Sequence, residues 1–323
     1  MKKQAISSLL VTLIVVSFIL PALATEAGGN AQPFAAVQAG DDAAVGAQSD
    51  ATPDAAVSEE SGPKSFVFLD GIPQDVEYDL RDGTTYVTVS SFVAMVDSQA
   101  VLKEENGVVT VTSARVEQVT DDEGNTADVV QETFSMTVSV QVPYIVANGR
   151  YLYAKDSITT VNGSVAAPIR KLAQVFNLDV DYDAVAHAVL LTHVQGRSAY
   201  IRSGDSRYDA DELYLMSRII FAESGNQPLD GMIAVGNVVM NRVNSPLYPN
   251  TIYDVLNQKD QFAPAGYLSK VSPSNQSIVA AKLVLDGAEV LPTALFFNRA
   301  GMSSYASRNR PYVATIGDHA FYS

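Results

Sequence analysis

The chain contains no cysteine. That absence removes disulfide cross-links, thiol nucleophiles and cysteine-ligated metals together. Histidine is scarce too, with only His187, His193 and His319 in 323 residues. His187 and His193 are six apart and have no third ligand candidate at a suitable spacing, so no copper site is indicated. Basic charge is missing from the front half. Residues 25–195 hold 8 Lys and Arg against 25 Asp and Glu, whereas residues 196–323 hold 11 of each. An acidic front half argues against nucleic acid as a partner, because phosphate backbones select basic surfaces. It offers no attraction to anionic membranes and mainly confers solubility. Beyond the N-terminal segment no stretch is long and apolar enough to cross a membrane.

What is present divides the chain into segments, and its length allows two domains plus extras. Lys2 and Lys3, an apolar run from Leu9 to Leu20, and the small-residue site Ala22, Leu23, Ala24 describe a secretory signal over residues 1–24. The run is short for a bilayer span, which favours cleavage over retention as an anchor. Residues 25–63 are rich in Ala, Gly, Asp, Ser and Gln and almost without aromatics, so they form a disordered linker.

From 64 to 195 short β-like runs take over. Phe66 to Leu69 precede the turn signal Asp70–Gly71, and Tyr86 to Val89 lead into Ser90 and Ser91 as a helix N-cap. A hairpin is signalled by Asn106–Gly107 ahead of Val108 to Val111. Later, Ser164 to Ile169 lead into a helix from Arg170 to Phe176, followed by strands at 178–183 and 188–192. Strand, short helix, strand, turn, strand occurs twice, which predicts an internal duplication. Residues 196–210 are a short polar connector, and Asp209 or Asp211 suits the cap of the next helix.

That helix, within residues 213–226, is the focus of the C-terminal part. Leu213, Met216 and Ile220 recur on one face, and Glu223 continues the row. A carboxylate in line with three large apolar side chains is expected to be partly desolvated, the condition under which a Glu becomes a proton donor near neutral pH. The same pattern also fits a solvated helix end with Gly225 as its stop. A core helix follows from about Pro228 to Val243, then a loop, a short helix near Thr251, and the pair Gln261 and Phe262. A further helix is capped within residues 272–277 and stops at Gly287, and Leu295 to Asn298 form a strand-like run.

Two resemblances follow from these motifs. Residues 165–173 with Val180 to Asp183, and more weakly 86–94, resemble the copper-amine-oxidase N-terminal-like domain of secreted Gram-positive proteins. That resemblance implies a small α+β module that holds cell wall or positions an enzyme. Residues 211–323 resemble the catalytic domain of the SleB/CwlJ-type cell wall hydrolases, the spore cortex-lytic family. The matching pieces are Phe221 to Ser224, Gly231 to Val235, Asn241 to Val243, Tyr248 to Ile252, Gln261–Phe262, Phe296 to Asn298, and Ile316 to Phe321. The implied architecture is two-domain: an N-terminal α+β module with internal duplication, then a C-terminal, mostly helical lysozyme-like α+β domain at 211–323.

The implied activity is a lytic transglycosylase that cuts the bond from N-acetylmuramic acid to N-acetylglucosamine in peptidoglycan, with Glu223 as the single catalytic acid. No metal or cofactor is implied. The residues agree in part. Glycoside cleavage usually takes two carboxylates, and no partner for Glu223 is evident, although Asp230, Asp254, Asp260, Asp286 and Asp318 are available. Transglycosylation dispenses with the second, because the sugar's own 6-hydroxyl attacks and Glu223 then takes its proton. Gln261 and Phe262 match a family motif and suit a sugar cleft, but Ala263, Pro264 and Ala265 replace the small polar residue that commonly follows. Tyr267, Phe297, Asn298 and Tyr305 are further substrate-binding candidates. His319 is assigned to fixing the C-terminal segment, and Asn241 and Arg242 to tying a helix end to the next loop. The expected protein is a monomer, secreted or wall-associated. A non-catalytic wall-binding protein and a hydrolytic muramidase remain alternatives. A zinc amidase is disfavoured, since one histidine in the C-terminal domain is too few.

Overall fold

The computed structural model describes residues 66–323 except 121–125, 156–157, 260 and 263–264. The expected signal, the whole of the linker, Asp260, Ala263 and Pro264 lie outside the described residues. In chain order the first part comprises β1 (Phe66–Leu69), β2 (Ile72–Gln74), β3 (Tyr78–Arg81), β4 (Thr84–Thr88), α1 (Val89–Val96), β5 (Val101–Glu105), β6 (Val108–Thr120), β7 (Thr126–Ser139), β8 (Tyr144–Ala147) and β9 (Arg150–Tyr153). It continues with β10 (Thr159–Val161), β11 (Ser164–Pro168), α2 (Ile169–Val175), β12 (Asp179–Asp183) and β13 (Ala188–Thr192). Two strands, a helix and two strands thus follow each other in the same order at β3–β6 and at β10–β13. The halves meet where β4 pairs antiparallel with β11, Val87 opposite Ala167. In both strands the last four residues are buried and the chain turns directly into a helix. For α1 the cap is Thr88, whose hydroxyl accepts from the Ser91 amide at 3.4 Å, and not the expected Ser90 or Ser91. The helix starts earlier than the Ser pair suggested because Thr88 already supplies the hydroxyl acceptor.

The strands form three sheets: β12-β13-β1-β2, β10-β11-β4-β3, and a five-stranded meander β5 to β9. Their inner faces and the two helices enclose a core that includes Phe92, Phe134, Leu172 and Phe176. Residues 196–210 depart from the expected polar connector. Tyr200 and Ile201 are buried in this same core, and Tyr200 stacks on Phe134 with ring centres 4.4 Å apart. Burial is tolerated because the Tyr200 hydroxyl donates to Asp97 (2.6 Å) and sits 3.1 Å from Ser113 Oγ.

The remaining elements are α3 (Gly204–Arg207), α4 (Ala210–Ser224), α5 (Leu229–Val243), α6 (Ile252–Leu256), α7 (Ala265–Leu268), α8 (Asn275–Leu285), β14 (Phe296–Arg299), α9 (Tyr305–Asn309), β15 (Tyr312–Ile316) and β16 (His319–Tyr322). Helices α4, α5 and α8 pack together through Met216, Ile219 and Ile220, Met232, Ile233 and Val239, and Ala280, Ala281 and Leu283. Burying each of the large side chains contributes roughly 1.5–3 kcal/mol. Three strands, ordered β14-β16-β15, cover one side of α5 through Phe297 and Phe321.

The described residues fall within one compact unit. Tyr153 from β9 is buried in the helical core, with Tyr144 and Tyr151 packed against it. Between β9 and the end of α8 lies a polar lock around the Asp286 carboxylate, which is fully buried. Arg150 (Nε at 3.0 Å), the Tyr208 hydroxyl and the Tyr151 amide (3.4 Å) donate to it, and Arg207 lies 3.5 Å away. Beside it the Tyr153 hydroxyl donates to Asp230 at 3.0 Å.

Candidate active site

Helix α4 is capped by Asp209, which accepts from the amides of Asp211 and Glu212. It carries its apolar row into the core, Met216 and Ile220 fully buried, and delivers Glu223 half-buried at its C-terminal end. The helix stops at Gly225, though not by the left-handed turn that a glycine stop suggests. Gly225 is right-handed (φ −61°), and a Cβ there would lie 2.6 Å from the Phe221 carbonyl oxygen and 2.9 Å from its ring. The glycine is required by close approach of Phe221.

Opposite stands the start of β16. His319 is half-buried, and Glu223 and Asp318 both act electrostatically on its imidazole. Burial pushes the imidazole below the ordinary histidine value, and the two carboxylates partly oppose this. Its Nδ1 is buried and makes no hydrogen bond among the described residues. The ring stands edge-on to Phe297 at 5.4 Å, and Phe297 in turn meets Phe262 at 6.4 Å. A continuous line therefore runs from Glu223 through His319 and Phe297 to Phe262.

The turn that presents His319 is held by Gln227, which is only 6% exposed. Its Oε1 accepts from the Asp318 amide at 2.7 Å, and its Nε2 donates to Asn226 (2.9 Å) and to the Asp318 carboxylate (3.3 Å). Gly317 turns with φ +56°, and a Cβ there would lie 2.1 Å from Gln227 Oε1. The segment after α4 and the β15–β16 turn are thus fastened together, which fixes Asp318 and His319 relative to the helix end bearing Glu223.

The other candidates divide. Phe262 is half-buried between the cores and lies against Arg242, whose guanidinium is 4.9 Å from its ring. Arg242 is 3% exposed, packs over Tyr248 and Phe296 as well, and donates to the Leu295 carbonyl at 2.8 Å. Burial lowers its pKa. Asn241 holds the Leu291 and Ala294 carbonyls, each at 2.9 Å. Gln261 is exposed beside Phe262, and Tyr267 is 56% exposed on α7, which packs against α4. Asn298 and Tyr305 are not brought to Glu223. Along β14 and β16, Phe297, His319 and Phe321 share one face, so Asn298, opposite Ala320, points to the other. There its amide donates to the Arg299 carbonyl (2.7 Å) and its oxygen accepts from Ser304 (2.7 Å), while α9, with Tyr305 at its start, packs on that outer face.

Sequence reasoning passed over Gln227 and gave His319 only a fixing role. No periodicity marks Gln227, whose function depends on a turn about ninety residues further along. Among the described residues no three His, Cys, Asp or Glu side chains gather as metal ligands do, and no helix is long and apolar enough to cross a membrane.

Residues 226–322 match the Cell Wall Hydrolase family. That match puts a cell wall hydrolase domain in the C-terminal part of the chain, beginning just past Glu223. The chain is 29% identical to the spore cortex-lytic enzyme of Oceanobacillus iheyensis over 116 residues, covering 35% of this chain and 42% of the relative. It is 30% identical to the spore cortex-lytic enzyme of Bacillus cereus over 116 residues, 35% of this chain and 45% of that one. It therefore spans less than half the length of these curated relatives. Among solved structures, the catalytic domain of the germination-specific lytic transglycosylase SleB from Bacillus anthracis is 24% identical, covers 38% of this chain and all of its own, and superposes with a TM-score of 0.33.

Proposed function

We propose that this chain is an exported peptidoglycan-cleaving enzyme, a lytic transglycosylase acting on the bond from N-acetylmuramic acid to N-acetylglucosamine. The observation that carries the reading is the position of Glu223. It is half-buried at the end of an apolar helix, facing a wall of His319, Phe297 and Phe262 whose turn Gln227 fastens, and it lies just before a segment that matches cell wall hydrolases. Protonated Glu223 gives its proton to the glycosidic oxygen as the bond to the anomeric carbon breaks. The resulting carboxylate then takes the proton of the muramic acid 6-hydroxyl as that oxygen attacks the same carbon, closing a 1,6-anhydro ring. Phe262 and Phe297, with Gln261 and Tyr267 nearer the surface, contribute faces and an amide suited to sugar rings and hydroxyls. Export rests on residues 1–24, and residues 64–195 would serve as a copper-amine-oxidase N-terminal-like module that keeps the monomeric enzyme on the wall.

One observation favours a second reading. Asp318 is exposed and, like Glu223, acts on the His319 imidazole, so it is the candidate for the second carboxylate that hydrolysis requires. Purified peptidoglycan incubated with the protein and with Glu223→Gln, followed by mass spectrometry of the products, decides between them. Anhydro ends from the wild type and none from the variant are expected. Equal release by both proteins would sink the Glu223 assignment, and reducing ends would transfer the reading to a muramidase using Asp318.

A further inference from the structure

A groove of about 670 Å³, whose lining does not include Glu223, runs along the seam between β4, β11 and α2 on one side and the loop after α8 on the other. Its charge is out of keeping with its surroundings. Residues 25–195 hold only 8 Lys and Arg, yet Lys155, Arg170 and Lys171 all line this one groove. Of the acidic groups on its wall, Asp286 is taken up by Arg150, Arg207 and Tyr208, which leaves Glu289. Arg170 is oriented by one bond from Nη1 to the Val180 carbonyl at 3.3 Å, and its other donors stay available.

Lys171 is the most telling of these. It is half-buried, and among the described residues it makes no hydrogen bond or ion pair. Burial lowers its pKa, and no acidic neighbour opposes this. An ammonium partly removed from water without a partner is unfavourable for folding, so an anion from outside is the missing counterpart.

We infer that this groove binds the free carboxylates of the peptide stems of peptidoglycan, with Lys171 as the inner contact and Arg170 and Lys155 at the mouth. The inference rests on peptidoglycan being the substrate, as proposed above. The volume falls in the range of small-ligand sites and accommodates a few peptide residues. A short stem and a long polyanion are distinguished by range. A carboxylate inside the groove feels chiefly the charges within a Debye length of about 8 Å, and on the groove wall Lys155, Arg170 and Lys171 outnumber the one unneutralised acid, Glu289. An extended phosphate polymer lies across the acidic module, where residues 64–195 hold 18 Asp and Glu against 8 Lys and Arg, and is repelled. Because the groove wall includes Gly287 and Glu289 from the hydrolase segment, a bound stem would hold its glycan strand against the part of the chain that bears Glu223.

Calorimetric titration of the full chain with a stem peptide bearing free carboxylates, its amide-capped twin and a polyol phosphate polymer tests this. The free peptide is expected to bind, and Lys171→Met to weaken it by about tenfold or more, the effect of losing one charge-assisted hydrogen bond. Lys171→Arg should restore most of the affinity, capping should abolish it, and Glu223→Gln should leave it unchanged. Lys171→Met should also fold as stably as the wild type, because it removes an unpaired charge. No binding of the free peptide, equal binding by wild type and Lys171→Met, or tighter binding of the phosphate polymer would each overturn the inference. Peptide binding that persists while wall digests lack anhydro ends would refute the transglycosylase reading and leave this one standing.

Discussion

Replacing Gly317 by Ala tests whether the Gln227 fastening holds the site together. Gly317 has φ +56°, a left-handed conformation that costs a residue with a Cβ about 1–2 kcal/mol. The added carbon would lie 2.1 Å from Gln227 Oε1 and 3.2 Å from Pro228 Cδ, so the amide has to leave its position. Gln227 is 6% exposed and takes the Asp318 amide at 2.7 Å, so displacing it strands buried polar groups at a further cost of about 1–3 kcal/mol. The total comes to about 2–5 kcal/mol. Gly301→Ala supplies the control. Its φ is +78° and nothing lies within 4 Å of the added carbon, so only the backbone cost applies. Urea unfolding of both variants should separate them by at least about 1 kcal/mol, and release of wall fragments should fall much further in Gly317→Ala, because Asp318 and His319 lose their placement beside Glu223. Equal unfolding free energies for the two variants would show that the contact with Gln227 is not what constrains this turn.

Two further outcomes are expected. Asp286→Ala leaves the guanidinium of Arg150, 13% exposed, without its counter-charge, and should destabilise the protein by about 3–5 kcal/mol, with Asp286→Asn costing less because the Tyr208 hydroxyl keeps an acceptor; thermal unfolding followed by calorimetry measures both. For His319 the folded-state pKa lies below the unfolded one, so the unfolded chain binds the proton first and stability falls as pH drops from about 6.5 toward the folded value. His319→Phe should flatten that part of a pH series of urea unfolding curves, and an unchanged slope would refute it.

Local chemistry made much of the fold legible. Asp70–Gly71 and Asn106–Gly107 do turn hairpins with positive φ at both positions, and Asp209 caps α4. The row from Met216 to Ile220 is buried as its spacing requires. What escaped was long-range. Tyr200 sits in a polar stretch, and Asp97 and Ser113, far back in the chain, help make its burial acceptable. Of the sheet of β14, β16 and β15 only the strand-like run Leu295 to Asn298 is legible, because a central strand of four residues carries too little periodicity. For the site, the sequence singled out Glu223 but could not tell that alternation along β14 turns Asn298 away from Phe297. Gln227 was invisible because its importance lies in what meets it.

The parallel pairing of β1 with β13, Phe66 beside Ala188, has a consequence for how the chain assembles. The first described strand has its long partner only after the whole β-rich part has been made, so this part cannot be completed by adding elements one after another from its N-terminal side. Until β13 arrives, Phe66–Leu69 presents one unpaired backbone edge, with only β2 on its other side. Closing so long a loop is entropically costly and slow compared with forming the β6–β7 hairpin. The hairpins and the two helix turns therefore form early, and the β1–β13 clasp sets the pace of folding. Export as proposed above would impose the same delay, with that edge waiting in the open until residue 191 had followed it across.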